Sequence, residues 1–172
     1  MSDFAARREV QLGGLGAGIL DAHIRATGWI PYGPQADGAH PFDRLIASPD
    51  KRHICIVEVK TKARREAYRD TGINRRHYED YRHITATYRL PLFLAFVDPK
   101  EGRIYGNYWT ELLTPRIRGA CRYPWHSNGI VYFPLDAMPT LRLLTTTECS
   151  ALLALRQTRW VQHHGSSFLP KS

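Results

Sequence analysis

The sequence predicts a mixed α/β domain built around one sheet, on three observations. The chain has 172 residues, 43% of them hydrophobic, which suits one compact domain with a core and argues against disorder throughout. Helical and strand patterns alternate along its length. Two runs of strand character, residues 42–47 and 53–60, flank Ser48-Pro49-Asp50-Lys51-Arg52, the best hairpin signal in the chain. The expected organisation is one unit over residues 1–162 and a flexible C-terminal tail over 163–172, without repeats or low-complexity blocks.

Phe4, Val10, Leu12, Leu15, Ile19, Leu20 and Ile24 form an apolar stripe that predicts a first helix over residues 3–27. Gly13, Gly14, Gly16 and Gly18 interrupt it. Ile19 stands where a GxGxxG loop needs its third glycine and no strand precedes, so close packing is favoured over a phosphate cradle. A short strand follows at 29–32, then a loop and the hairpin. Asp70-Thr71-Gly72 reads as a turn, and Asn74 as the N-cap of a helix reaching Tyr88. The apolar run 91–97 and residues 103–108 form a further strand pair around a turn at 98–102. A short helix at 109–113, a Pro- and Gly-containing stretch, a last strand at 130–133 and a last helix at 147–159 complete the chain.

The formal net charge is +8, which favours polyanionic partners because neutralising phosphates releases their counterions. Cys55, Cys121 and Cys149 stand far apart, so neither a disulfide framework nor a zinc ribbon is expected, and Cys55 should pack as a small hydrophobe. No stretch approaches the roughly 18 apolar residues of a membrane span. A cytoplasmic protein with no membrane partner is the expectation.

Within Ile54-Cys55-Ile56-Val57-Glu58-Val59-Lys60, side chains alternate faces, so Glu58 and Lys60 share one face with Ile56. Charge inside so apolar a run is costly unless it is paired. With residues 49–52 as a four-residue loop, Ser48 faces His53 and Asp43 falls opposite Glu58. Directly opposed residues have Cβ atoms about 4.5–5.5 Å apart, and two carboxylates that close favour a cation between them. Oxygen-only coordination suits Mg2+ or Mn2+.

Pro41-Phe42-Asp43, fourteen residues, then Glu58-Val59-Lys60 resembles the signature of the PD-(D/E)XK nuclease superfamily. The resemblance covers roughly residues 29–97. It implies a restriction-endonuclease-like fold, a mixed sheet flanked by helices in the order α-β-β-β-α-β, here with an extra hairpin strand and a C-terminal helix. It further implies Asp43 and Glu58 as metal ligands and Lys60 as the group that activates water and stabilises charge. Many relatives add a glutamate from the first helix. Ala17, Gly18 and Ile19 stand at that place here, leaving Asp21 as either a substitute ligand or a solvated helix residue.

Residues 74–82 resemble the Q-x-x-x-Y helix of RecB-type nucleases, with His77 for the glutamine and Tyr81 in place. The pair reads either as contacts to nucleic acid or as packing against the sheet, and Ile84 and Tyr88 as packing. Lys62, Arg64, Arg65, Arg69, Arg75 and Arg76 crowd the segment after Lys60 and are expected to grip a phosphate backbone. The implied activity is metal-dependent hydrolysis of DNA in repair or recombination, with a Holliday-junction-resolvase-like substrate and a homodimer as expectations by analogy. The rival expectation is an inactive nuclease-fold module that binds DNA or inhibits another protein; an RNA-directed nuclease shares the chemistry.

Overall fold

The computed structural model describes residues 8–33, 40 and 42–164, with side chains through residue 156. The elements are helix α1 (Arg8–Ala26), strands β1 (Ile30–Tyr32), β2 (Arg44–Ala47), β3 (Ile54–Thr61) and β4 (Asp70–Asn74), helix α2 (Arg75–Tyr88), and strands β5 (Leu92–Asp98) and β6 (Arg103–Tyr108). Helix α3 (Trp109–Leu113), strands β7 (Arg116–Arg118), β8 (Cys121–Tyr123), β9 (Trp125–Ser127), β10 (Ile130–Pro134) and β11 (Thr140–Leu143), and helix α4 (Thr146–His164) follow.

Six strands form the main sheet in the order β1-β2-β3-β5-β6-β11. Neighbours are antiparallel except β3 and β5, which run parallel with Glu58 beside Leu94 and Lys60 beside Phe96. The β3–β5 connection passes through β4 and α2, because a parallel pair needs a long crossover. Being central, β3 is covered on both faces, which is why its sequence is a nearly continuous apolar run and not a simple alternation. The result is a mixed sheet flanked by helices, consistent with a restriction-endonuclease-like fold.

The two faces of β3 feed two cores. Ile56, Leu94, Phe96 and Tyr105 pack with Tyr81 and Ile84 of α2, Trp109 of α3, and Ile73, Val131 and Phe133 of the smaller sheet β4-β10-β9. Val57, Val59, Ala95, Val97 and Ile104 pack with Ile19, Leu20 and Ile24 of α1 and Leu152 of α4. Cys55 is buried, and burial pushes its thiol up to about 12, so it serves as an apolar filler.

Several expectations need correction. Residues 70–72 are not a turn: they open β4, which pairs with β10. Gly72 allows that pairing, since a Cβ there would sit 2.6 Å from the Val131 carbonyl oxygen. Asn74 occupies the N-cap position of α2 without a side-chain capping bond. The stretch expected to be irregular holds β7, β8 and β9, each three residues long and too short to show a period. Strand β10 is not the last, for β11 pairs with β6 at the sheet edge. Tyr88 is exposed instead of packed, whereas Ile84 is buried. Helix α4 runs through His164; the rest of the expected tail, like residues 3–7 of the expected first helix, lies outside the described residues.

Among the α1 glycines, Gly16 has a packing reason: a Cβ there would come within 1.9 Å of Thr61 Oγ1 on β3. Gly13, Gly14 and Gly18 have open space where a Cβ would stand. Replacing Gly18 with Ala should therefore stabilise the protein by about 0.5–1 kcal/mol through helix propensity. Gly16→Val should cost about 1–3 kcal/mol by forcing α1 off β3. Urea unfolding of both variants checks the pair; similar effects at the two positions would contradict the close approach.

Candidate active site at the β2–β3 divergence

Beyond Ala47↔Ile54, Ile46↔Cys55, Leu45↔Ile56 and Arg44↔Val57, the β2–β3 ladder ends. One further step in that register sets Asp43 across from Glu58, as the loop-length reading anticipates. Side chains take over the bonding there. The Asp43 backbone N–H donates to Glu58 Oε2 at 3.0 Å, and the Val59 N–H donates to Asp43 Oδ2 at 2.8 Å. Each carboxylate thus bonds to the other strand's backbone, which brings both acidic groups to the point where β2 leaves β3.

Glu58 is only 6% exposed, so its oxygens need donors. Lys60 Nζ donates to Oε1 at 3.0 Å, and the Tyr81 hydroxyl donates to the same oxygen at 2.6 Å. Burial, then the Glu58 charge and hydrogen bond, push the Tyr81 phenol far above its ordinary value, which keeps it a donor. The Tyr81 ring is wedged edge-on against Trp109 at 5.8 Å, and Lys60 Nζ stands 5.6 Å from the Tyr81 ring centre. Tyr81 is 2% exposed, so the expected nucleic-acid contact is corrected to a buried support for Glu58. Spacing alone marks which helix face Tyr81 shares with His77, but not how deep that face lies.

The Asp43 carboxyl is raised above the usual aspartate range by burial first and by Glu58 second. His77 is lowered by burial and then by Lys60, and its ring stacks on Tyr81 at 6.2 Å and 26°. With His40, Asp80 and His83, His77 lines a cleft of about 510 Å3 that reaches Glu58. Sequence reasoning missed those three. His40 had a signal in its place just before Asp43; Asp80 and His83, on the α2 turns beside His77, had helical spacing only.

Asp21 is held in an ion pair with Arg44. Arg44 Nε bonds both of its oxygens, at 2.9 and 3.1 Å, while Arg44 Nη1 donates to the Asp43 carbonyl at 2.7 Å. Arg44 lies across from Val57, whose face packs on α1, so it meets Asp21 there. Among the described residues, no group of three or more His, Cys, Asp or Glu forms a metal cluster.

The expected basic grip is also redistributed. Lys62 turns inward, its amine donating to the Gly72 carbonyl at 2.8 Å, and burial lowers its pKa. Arg64 pairs with Glu101 at 2.6 Å. Arg65 pairs with the fully buried Asp70 and stacks on Tyr132, Tyr68 and Trp125. Arg69, Arg75 and Arg76 remain exposed.

No protein-family model and no curated protein matches this chain. Among solved structures it is similar to Hjc, a Holliday junction resolvase from the archaeal hyperthermophile Archaeoglobus fulgidus. The TM-score is 0.51 at 12% identity, covering 73% of this chain and 90% of that one. At that identity the likeness speaks for the fold, a nuclease-like one at a coarse level.

Because the folded Asp43 holds its proton to higher pH than the unfolded chain does, its contribution to stability is complete below the ordinary aspartate value of about 4. That contribution is lost as pH rises through the raised value. Asp43→Asn should therefore melt higher than the parent at pH 7 without divalent ions, and the difference should shrink towards pH 4; thermal melts across that range check it. Tyr81→Phe strips a donor from buried Glu58 and should cost about 1–3 kcal/mol in urea unfolding.

Proposed function

We propose that this protein is a divalent-metal-dependent nuclease that hydrolyses phosphodiester bonds in DNA. The observation that carries the reading is the gathering of Asp43, Glu58 and Lys60 at one point, on a sheet whose fold is similar to that of a junction resolvase. The donor chemistry fits a hard cation: two carboxylates at one point, one of them raised by burial and then by the other. Magnesium commonly takes one or two carboxylates and fills its remaining positions with water and phosphate oxygens. Asp43 and Glu58 would hold Mg2+ or Mn2+, which when bound supplies Lewis acidity and a more acidic water.

The chain's own groups do the rest. Lys60 places a cationic donor beside Glu58, suited to orienting the attacking water and offsetting charge that develops on the phosphoryl oxygens. Tyr81 and the Asp43 N–H keep Glu58 in one orientation. His77, less basic than an ordinary histidine, offers an uncharged ring at the cleft rim for contact with the substrate strand. Exposed Arg75 and Arg76 at the start of α2 supply phosphate contacts without sequence readout. A four-way or otherwise branched DNA substrate, a homodimer that cuts two strands, and a cytoplasmic setting belong to this proposal. Among the described residues no helix is long and apolar enough to cross a membrane.

One observation favours a second reading, an inactive nuclease-fold module that binds DNA or inhibits another protein. Both Glu58 oxygens already accept hydrogen bonds, and Asp21 is committed to Arg44. Plasmid, single-stranded DNA and four-way junctions incubated with Mg2+ or Mn2+ separate the two. The nuclease reading expects cleavage that falls at least about 100-fold in Asp43→Ala and in Lys60→Ala. Binding without cleavage under either metal supports the inactive module, and cleavage that survives both substitutions removes these residues from the reaction.

A further inference from the structure

A second basic site lies on the same face of the main sheet, away from the acidic pair. The row Lys60, Phe96, Tyr105, Thr140 crosses β3, β5, β6 and β11, so Thr140 stands about 14 Å from Lys60 at three strand spacings. Thr140 and Tyr105 belong to the wall of a cleft of about 1000 Å3. Four arginines line it, Arg64, Arg69, Arg103 and Arg118, against two carboxylates, Glu101 and Asp136. The local balance is positive, and none of these arginines borders the cleft at Glu58.

The arginines are held in a built frame. Asp98, fully buried, accepts from the Arg64 N–H at 2.8 Å, the Lys100 N–H at 2.9 Å, the Glu101 N–H at 3.1 Å and the Tyr105 hydroxyl at 3.1 Å. One side chain therefore fastens the Arg64 segment to the turn between β5 and β6. Glu101 then bonds Arg64 Nε at 2.6 Å and Arg103 Nη2 at 3.0 Å, setting two guanidinium groups side by side. Arg118 approaches from the β7–β8 hairpin and pairs with Asp136. Arg69 is exposed and has no ion-pair partner among the described residues. Arg103 Nε is buried with no acceptor among the described residues. A guanidinium carries five donors, so this frame leaves many unspent among arginines that line a site of ligand size. Tyr68, 45% exposed, adds an aromatic ring at the rim.

We infer that this cleft binds a phosphate group of high charge, a phosphate monoester or polyphosphate, carried by the end of a nucleic-acid strand or by a free nucleotide. Arginine forks match phosphate oxygens in pairs, and a terminal phosphate bears more charge than a diester. The site needs no divalent ion and does not depend on the hydrolytic reading of Asp43 and Glu58.

The test is binding by the full chain in EDTA, in the Asp43→Asn background so that cleavage plays no part. Probes are fluorescent single-stranded oligonucleotides with and without a terminal phosphate, a nucleoside diphosphate, and inorganic pyrophosphate. Arg69→Gln with Arg118→Gln removes two exposed guanidinium groups with little expected effect on folding, which thermal melting verifies. Binding that depends on the phosphate and weakens about tenfold or more in the double variant supports the site. Preference for the phosphorylated oligonucleotide assigns a strand end; binding of the diphosphate and pyrophosphate alone assigns a free nucleotide. Equal affinity for oligonucleotides with and without the phosphate, together with no binding of the small probes, overturns the inference. So does phosphate-dependent binding that the double variant leaves unchanged.

Discussion

The structure turns on a carboxylate buried in its central strand. Glu58 sits in β3, covered on both faces, and such a group is tolerated only with donors on its oxygens. Those donors come from three places: the departing end of β2, the next same-face residue on β3, and helix α2. The first and the last of these bonds therefore also tie another element of the fold to the central strand. The direction of β2 after the hairpin, the seating of α2 and the confinement of Lys60 answer to one requirement, that Glu58 be satisfied.

The same economy recurs at the end of β5. Asp98 and Asp70 are both fully buried, and both bind the basic segment that follows β3. Asp98 takes the Arg64 backbone, and Asp70 takes the Arg65 guanidinium together with the Tyr123 hydroxyl. A run of positive charge that looks like a solvated strip becomes an ordered wall, with Arg65 enclosed among Tyr68, Trp125 and Tyr132. Buried acids, not the arginines themselves, decide which cations face solvent.

Local chemistry made part of this legible. The hairpin register followed from loop length, since a four-residue loop at 49–52 sets Ser48 opposite His53 and fixes each pair further along the ladder. The meeting of Asp43 and Glu58 across that hairpin followed with it. The close approach at Gly16 was signalled by small residues in an apolar stripe. Tyr81 was less legible: helical spacing set it beside His77, but its depth depends on Trp109 and the sheet beneath. Strands β4, β7, β8 and β9 were hidden because three to five residues carry no reliable period, and β4 pairs with β10 far along the chain.

By itself the sequence determined what repeats locally: the alternation of helix and strand, the two covered faces of β3, the hairpin register, and an excess of positive charge. Tertiary structure alone decided which charges meet. Asp21 joined Arg44, Lys62 turned to Gly72, Arg64 and Arg103 shared Glu101, and Tyr81 closed on Glu58. Period and turn length act over a few residues, so they can be read from neighbours in the chain. Ion pairs and buried hydrogen bonds are settled by distance in space and by exclusion of water, and both exist only after the sheets and helices have packed.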